Sequence, residues 1–187
     1  GVGMTFFPKN KQLFLKSKEL LNQVIDQLGF ELIGYRTVPV DETVPGSGAL
    51  DVMPNIEQLF VKHKDDLRDI DLERKLYILR NFATSEINSK IPGVNRSFYF
   101  ASLSSRTLIY KGQLRTDQVL PFYKDLQNPR IESAFAIVHS RFSTNTFPNW
   151  RLAQPFRFLS HNGEINTIRG NLNKMKSKEA LMKSKFF

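Results

Sequence analysis

The 187 residues carry 27 lysines and arginines against 18 acidic residues, a formal charge of +9, with 41% hydrophobic residues and no cysteine. The missing cysteine excludes disulfide frameworks, thiolate metal sites and a thiol nucleophile supplied by these residues. No run approaches the ~18 apolar residues of a membrane span, and no basic region followed by an apolar core marks a signal peptide. The expectation is a soluble, intracellular domain, long enough to bury roughly 70% of the surface its unfolded form exposes.

Along the chain, Phe14, Leu21, Val24, Ile25 and Leu28 recur at helical spacing between Lys11 and Leu28, and Gly29 stands where a helix C-cap glycine belongs. Phe30 to Val40 switches to β-branched and aromatic residues and predicts a strand. Pro45 to Gly48 reads as a loop and Ile56 to Val61 as a second strand. Asp71 is placed as the cap of a helix with the apolar face Leu72, Leu76, Leu79, Phe82 and Ala83. Phe98 to Leu103 and Thr107 to Tyr110 predict a hairpin around Ser104-Ser105-Arg106. Leu120 to Leu126 forms a short amphipathic piece. Ala134 to Phe142 and Phe156 to Ser160 read as buried strands, and Asn166 to Met182 as helical towards its end. With no repeat and no low-complexity linker, one mixed domain of helices and strands is the simplest account.

The excess charge raises the possibility of a polyanion partner. Lysines and arginines are dispersed, however, with a single denser tail of Lys174, Lys176, Lys178, Lys183 and Lys185, and dispersed charge is the mark of a solvated surface rather than of a nucleic-acid module. No phosphate loop, dinucleotide fingerprint, HExxH or EF-hand pattern occurs. The carboxylates Asp65, Asp66, Asp69, Asp71 and Glu73 are explained by a helix N-terminus. His63 is expected at the surface.

Chemistry concentrates between Ala134 and Asn173. His139-Ser140-Arg141 and His161-Asn162-Gly163 fall at the ends of the two apolar runs, which would place donors at the rim of a sheet. Singly, each has a bland reading: Arg141 as a strand-end partner of a surface carboxylate, Asn162-Gly163 as a hairpin turn, His139 and His161 as hydrogen-bonded core histidines. The order and spacing carry more, with Asn162 lying 21 residues after Arg141.

The run HSRFSTNTFPNW…LAQPFRFLSHNGEINTIRGN resembles the glutaminase domain of glutamate synthases, within the class II glutamine amidotransferases. GVGMTFFP, ELIGYRTVPV, SLSSRTLIYKG and GNLNKM…EALM extend that likeness over essentially the whole chain. It implies an α+β, N-terminal-nucleophile hydrolase-like, four-layer αββα sandwich, of which residues 1–187 would be an internal portion. It further implies hydrolysis of L-glutamine by an N-terminal cysteine whose own α-amine acts as base. Other domains of the parent would carry FMN and an iron–sulfur cluster and add the ammonia to 2-oxoglutarate, with an electron-donor subunit or ferredoxin as partner. No cofactor and no metal is expected in this domain, and no nucleic-acid or membrane partner. The location expected is cytoplasmic, or a plastid in a eukaryote.

On that resemblance Arg141 grips the substrate α-carboxylate bidentately, Asn162 and Gly163 supply the oxyanion hole, and Thr144 binds near the substrate. His139 and His161 are structural supports, and Ser143 to Trp150 is the loop expected to close over glutamine. Lys174 stands where the family usually has tryptophan. The nucleophile is expected upstream of Gly1 and an acidic ligand for the substrate amine beyond Phe187, so this chain alone should be inactive, with open sheet edges and poor solubility. Two other functions stay open at this level: a non-catalytic glutamine- or glutamate-binding relative, and a basic polyanion-binding domain.

Overall fold

A strand that the sequence reading passed over organises the fold. In the computed structural model, which describes residues 1–142, 146–156, 159–161 and 168–183, Val2–Phe7 (β1) has a neighbour on each side. Its partners are Asn55–His63 (β3) and Tyr99–Ser104 (β4), and Phe30–Thr37 (β2) adds outside β3, giving the order β2-β3-β1-β4. All three pairings are antiparallel, with Val2 opposite both Phe60 and Ser104, and Phe30 opposite His63. The result is an α+β arrangement around a four-stranded antiparallel sheet.

Alternation along β1 divides the core. Phe7 joins Leu59, Val61, Phe100 and Leu103 beneath two helices, Lys11–Gln27 (α1) and Asp69–Lys90 (α3). Met4 and Phe6 face the other way, with Ile56, Ala101, Val38, Phe122, Tyr123 and Trp150. The helix α1 follows its sequence signals: the Asn10 side chain accepts from the Gln12 and Leu13 amides, and Gly29, at φ 77°, reverses the chain into β2. Ser47–Asp51 (α2), Val119–Phe122 (α4) and Ile168–Leu181 (α5) complete the helices of the described residues.

Several expectations require correction. Ser47 and Gly48 belong to α2, not to a loop. Asp71 lies inside the first turn of α3, whose N-cap is Arg68; it pairs with Arg74 at 2.9 Å. His63 is 6% exposed, edge-on to the Phe30 ring, and its Nδ1 accepts from the Asp65 amide at 3.2 Å. Thr107 to Tyr110 is no strand, because serine hydroxyls take the donors a ladder would have used. Ser102 Oγ accepts from the Ile109 amide at 3.1 Å, and Ser104 Oγ from the amides of Arg106 and Thr107 at 3.0 and 3.2 Å.

The largest correction concerns Ala134 to Phe142. It is neither buried nor a strand: Phe135 is 69% and Val138 77% exposed. Among the described residues no strand lies beside this run, and without one its backbone has no ladder to join. Of Phe156 to Ser160, the described part forms one isolated bridge, Phe156 to Leu159, with both residues exposed.

Candidate functional site

A buried polar arrangement in the segment preceding the predicted residues is built on a lysine. Lys111 follows the apolar pair Ile109-Tyr110 and is only 5% exposed. Its Nζ donates to the carbonyls of Arg151 and Ala153 at 3.0 and 2.7 Å, and its own carbonyl accepts from Tyr123 Oη at 2.6 Å. The ammonium also lies 4.5 Å from the Phe156 ring centroid, a favourable cation–π distance. Burial first, and the Arg151 charge second, push its pKa down to about 8.

The two acceptor carbonyls belong to one turn. Ala153 donates its amide to the Asn149 carbonyl at 3.2 Å, and Leu152 donates to Asn149 Oδ1 at 2.9 Å. Trp150 anchors the turn from within: it is buried against Phe122, and its Nε1 donates to the Ala49 carbonyl at 2.8 Å. Gly112 makes that packing possible, since a Cβ there would stand 2.5 Å from Trp150 Cζ3. The far end of the predicted closing loop is therefore fastened to the core.

Gln154 comes next. Its carboxamide engages both backbone polar groups of His161, with Nε2 donating to the His161 carbonyl and Oε1 accepting from the His161 amide. Between them, Phe156 and Leu159 exchange backbone hydrogen bonds of 2.7 and 2.6 Å.

Of the six residues predicted for the site, three are described. Arg141 is exposed, and no ion pair joins it to a carboxylate among the described residues. His139 is half-buried, with a buried Nε2 that has no hydrogen-bond partner among the described residues. The exposed His161 is held through its backbone as above. Thr144, Asn162 and Gly163 lie outside the described residues. Because Ala134 to Val138 is exposed and Ala134 to Phe142 forms no strand, the expected setting of His139 and Arg141 at the rim of a buried strand is not what the structure has.

Neither of two clefts near β4 is lined by His139, Arg141 or His161. One of about 570 Å³ lies between α3 and β4 around Asn88, Arg96 and Tyr99; the other, about 340 Å³, shares Arg96, Tyr99 and Arg151 and reaches Trp150. Lys111 and Gln154 were missed because a lone lysine and a lone glutamine carry no spacing signal. Only Gln154-Pro155, punctuating the approach to His161, hinted at a turn.

Comparison with known proteins places the chain in a family. The family model described as glutamine amidotransferases class-II matches residues 1–187. The chain belongs to the class II glutamine amidotransferases. It is 48% identical over 185 residues to ferredoxin-dependent glutamate synthase 1 (chloroplastic/mitochondrial) of Arabidopsis thaliana, covering 98% of this chain and 11% of that protein. It is 47% identical over 190 residues to the NADPH glutamate synthase large chain of Bacillus subtilis, covering all of this chain and 12% of the relative. The NADH glutamate synthase of Saccharomyces cerevisiae is 42% identical over 196 residues, again across the full chain and 9% of that protein. The chain thus spans about a tenth of the length of the curated relatives it matches. The amidotransferase family carries an N-terminal-nucleophile hydrolase fold, and the antiparallel sheet with α1 and α3 on one face is compatible with it. No helix among the described residues is long and apolar enough to cross a membrane.

Proposed function

We propose that this chain is an internal portion, residues 1–187, of the glutaminase domain of a glutamate synthase, acting on L-glutamine to yield glutamate and ammonia. The observation that carries this reading is the family match across the whole chain, joined by 42–48% identity to glutamate synthases that differ in electron donor. On this reading the sheet described above is one of the two in a four-layer αββα sandwich.

The chemistry follows from what each group can do. A thiolate adds to the carboxamide carbon and negative charge gathers on its oxygen. The Asn162 side-chain amide and the Gly163 N–H stabilise that charge, and losing one such donor costs ~10²–10³ in rate. The C–N bond then breaks, ammonia leaves, and water releases glutamate from the thioester. These 187 residues contain no cysteine, so the thiol is assigned outside them. The guanidinium of Arg141 offers a planar fork for the α-carboxylate, and Thr144, three residues on in sequence, is the second substrate contact. His139 and His161 support their neighbours.

FMN and the iron–sulfur cluster of such a synthase are assigned to its other domains; a chain without cysteine offers a cluster no thiolate. The electron donor is ferredoxin or a pyridine nucleotide, delivered to those domains, and the location is the cytoplasm or a plastid.

The test is glutamate release by the intact protein carrying Arg141→Ala or Asn162→Ala. Arg141→Ala is expected to raise KM for glutamine, and Asn162→Ala to lower kcat about 10²-fold. Normal kcat/KM in both variants would refute the assignment.

A further inference from the structure

Arginines of this chain commonly settle on carboxylates, as Arg36, Arg68, Arg74, Arg106 and Arg115 do. Arg96 and Arg151 differ: no ion pair joins either to a carboxylate among the described residues. Both line the two clefts beside β4, which also share Asn95 and Tyr99 and which no acidic residue lines. A third cation stands behind them, since the buried Lys111 ammonium donates to the Arg151 carbonyl at 3.0 Å. Positive charge is concentrated here without a counter-charge among the described residues.

The backbone is bent to present Arg96. Asn95 and Arg96 have φ of 46° and 64°, a left-handed conformation that asparagine tolerates and arginine does not favour. The turn is fixed on both sides. The Ser97 amide donates to the Val94 carbonyl at 2.8 Å, and Asn88, on α3, donates to the carbonyls of Thr84 and Phe98 at 2.7 and 3.0 Å. Strained backbone held in this way is a pointer to function. Asn88 Oδ1 and the Tyr99 hydroxyl are buried without a hydrogen-bond partner among the described residues, and both residues line the larger cleft. Burial raises the Tyr99 pKa, and the nearby Arg151 charge acts against that rise.

The larger cleft has two kinds of wall. On one side are two guanidiniums from separate segments. A carboxylate fills one such fork, whereas a phosphate dianion has oxygens and charge enough for both. On the other side Ser85, Asn88 and Ser89 stand in the last turns of α3, whose C-terminal end carries partial negative charge. That wall repels an anion and receives hydroxyl donors. At about 570 Å³ the cleft has the size of sites for small organic molecules.

We propose that this cleft binds a phosphate monoester of a small polyhydroxy compound, with Arg96 and Arg151 on the phosphate and the end of α3 on the hydroxyls. None of the residues assigned to glutamine lines it, so its failure would leave the glutaminase reading in place.

The experiment is calorimetric titration of the intact protein with glucose 6-phosphate, inorganic phosphate and glucose, in wild type, Arg96→Gly, Arg151→Gln and Ser89→Ala. Wild type is expected to bind glucose 6-phosphate, inorganic phosphate more weakly, and glucose without measurable heat. Each arginine variant is expected to weaken glucose 6-phosphate binding by about tenfold or more, as loss of a charge-assisted contact does. Ser89→Ala should weaken glucose 6-phosphate and leave inorganic phosphate unchanged. Glycine suits the positive φ at position 96, so Arg96→Gly is expected to keep the thermal midpoint, which separates lost binding from lost folding. Absence of binding in wild type overturns the proposal. So does equal affinity in wild type and both arginine variants, which would put the ligand elsewhere in the protein. Equal affinity for inorganic phosphate and glucose 6-phosphate overturns the ligand class. Should Arg96→Gly fail to fold, Arg151→Gln decides by the same readings.

Discussion

Lys111 ties a buried charge to pH in a direction that can be worked out. Its pKa is about 8 in the folded chain against 10.5 for an ordinary lysine, so between those values the unfolded chain binds more protons. Stability contributed by this group therefore rises as pH climbs from about 8 to about 10.5, and below 8 the full cost of burying the ammonium is present. Relative to Lys111→Met, the wild-type chain is expected to gain up to about 3 kcal/mol in urea unfolding over that range. Tyrosines such as Tyr110, pushed up to about 12 chiefly by burial, titrate in both proteins and drop out of the difference. A flat difference would mean the ammonium is solvated. Beside it, Gly112→Ala drives a methyl into the Trp150 ring, and overpacking of this kind costs about 1–3 kcal/mol; an unchanged unfolding midpoint would contradict the contact. Neither residue announced itself in the sequence. Arg141 did, because a motif preserves order and spacing, whereas burial of Lys111 arises only when Trp150, more than thirty residues later, packs over Gly112.

At the level of elements, α1, β2, β3, α3 and β4 were legible because each carries a local signal: a 3.6-residue period, a cap, or a β-branched run. β1 was not, although it is the most enclosed strand, because six residues including a glycine give too short a pattern to distinguish from a loop. The predicted second arm of the hairpin failed for a different reason, namely that Ser102 and Ser104 compete for its backbone donors. What lies beyond β2 is held by charge. Arg36 grips both oxygens of Asp125, on the turn after α4, at 2.5 and 2.8 Å, and Tyr110 Oη donates to the same carboxylate at 3.1 Å. The hydrogen bonds from Arg36, ahead of its charge, hold the Asp125 pKa below the ordinary 3.8. That stabilisation is complete above the unfolded value and disappears as pH falls through the lower folded one. Asp125→Asn is expected to lose about 1–2 kcal/mol at pH 7, towards the lower figure because Arg36 is nearly half exposed. Its deficit should shrink as pH falls below the ordinary carboxylate value of 3.8 in acid-titrated unfolding; a deficit constant with pH would assign the loss to shape instead of charge.

Across the whole molecule, packing quality is uneven, and the unevenness coincides with where the sequence misled. Residues 2 to 127 contain both hydrophobic clusters except for Trp150. From Ile131 to Val138 the chain is exposed, and Phe147 stands 94% out of contact. The apolar run at Ala134 to Val138 states only that these residues favour burial; it does not state against what, and a strand is defined by a partner that local sequence cannot supply. Exposed apolar surface of this extent favours association. The isolated 187-residue chain is therefore expected to bind a hydrophobic dye and to be cut by trypsin first at Arg130 and Arg141, leaving a resistant piece that retains β1 to α4. Phe135→Ser with Val138→Ser should reduce dye binding and leave the unfolding midpoint unchanged, because both side chains are largely exposed. A drop in the midpoint would show that the run is buried after all, and first cleavage within α1 or β3 would show that the sheet is not the stable part.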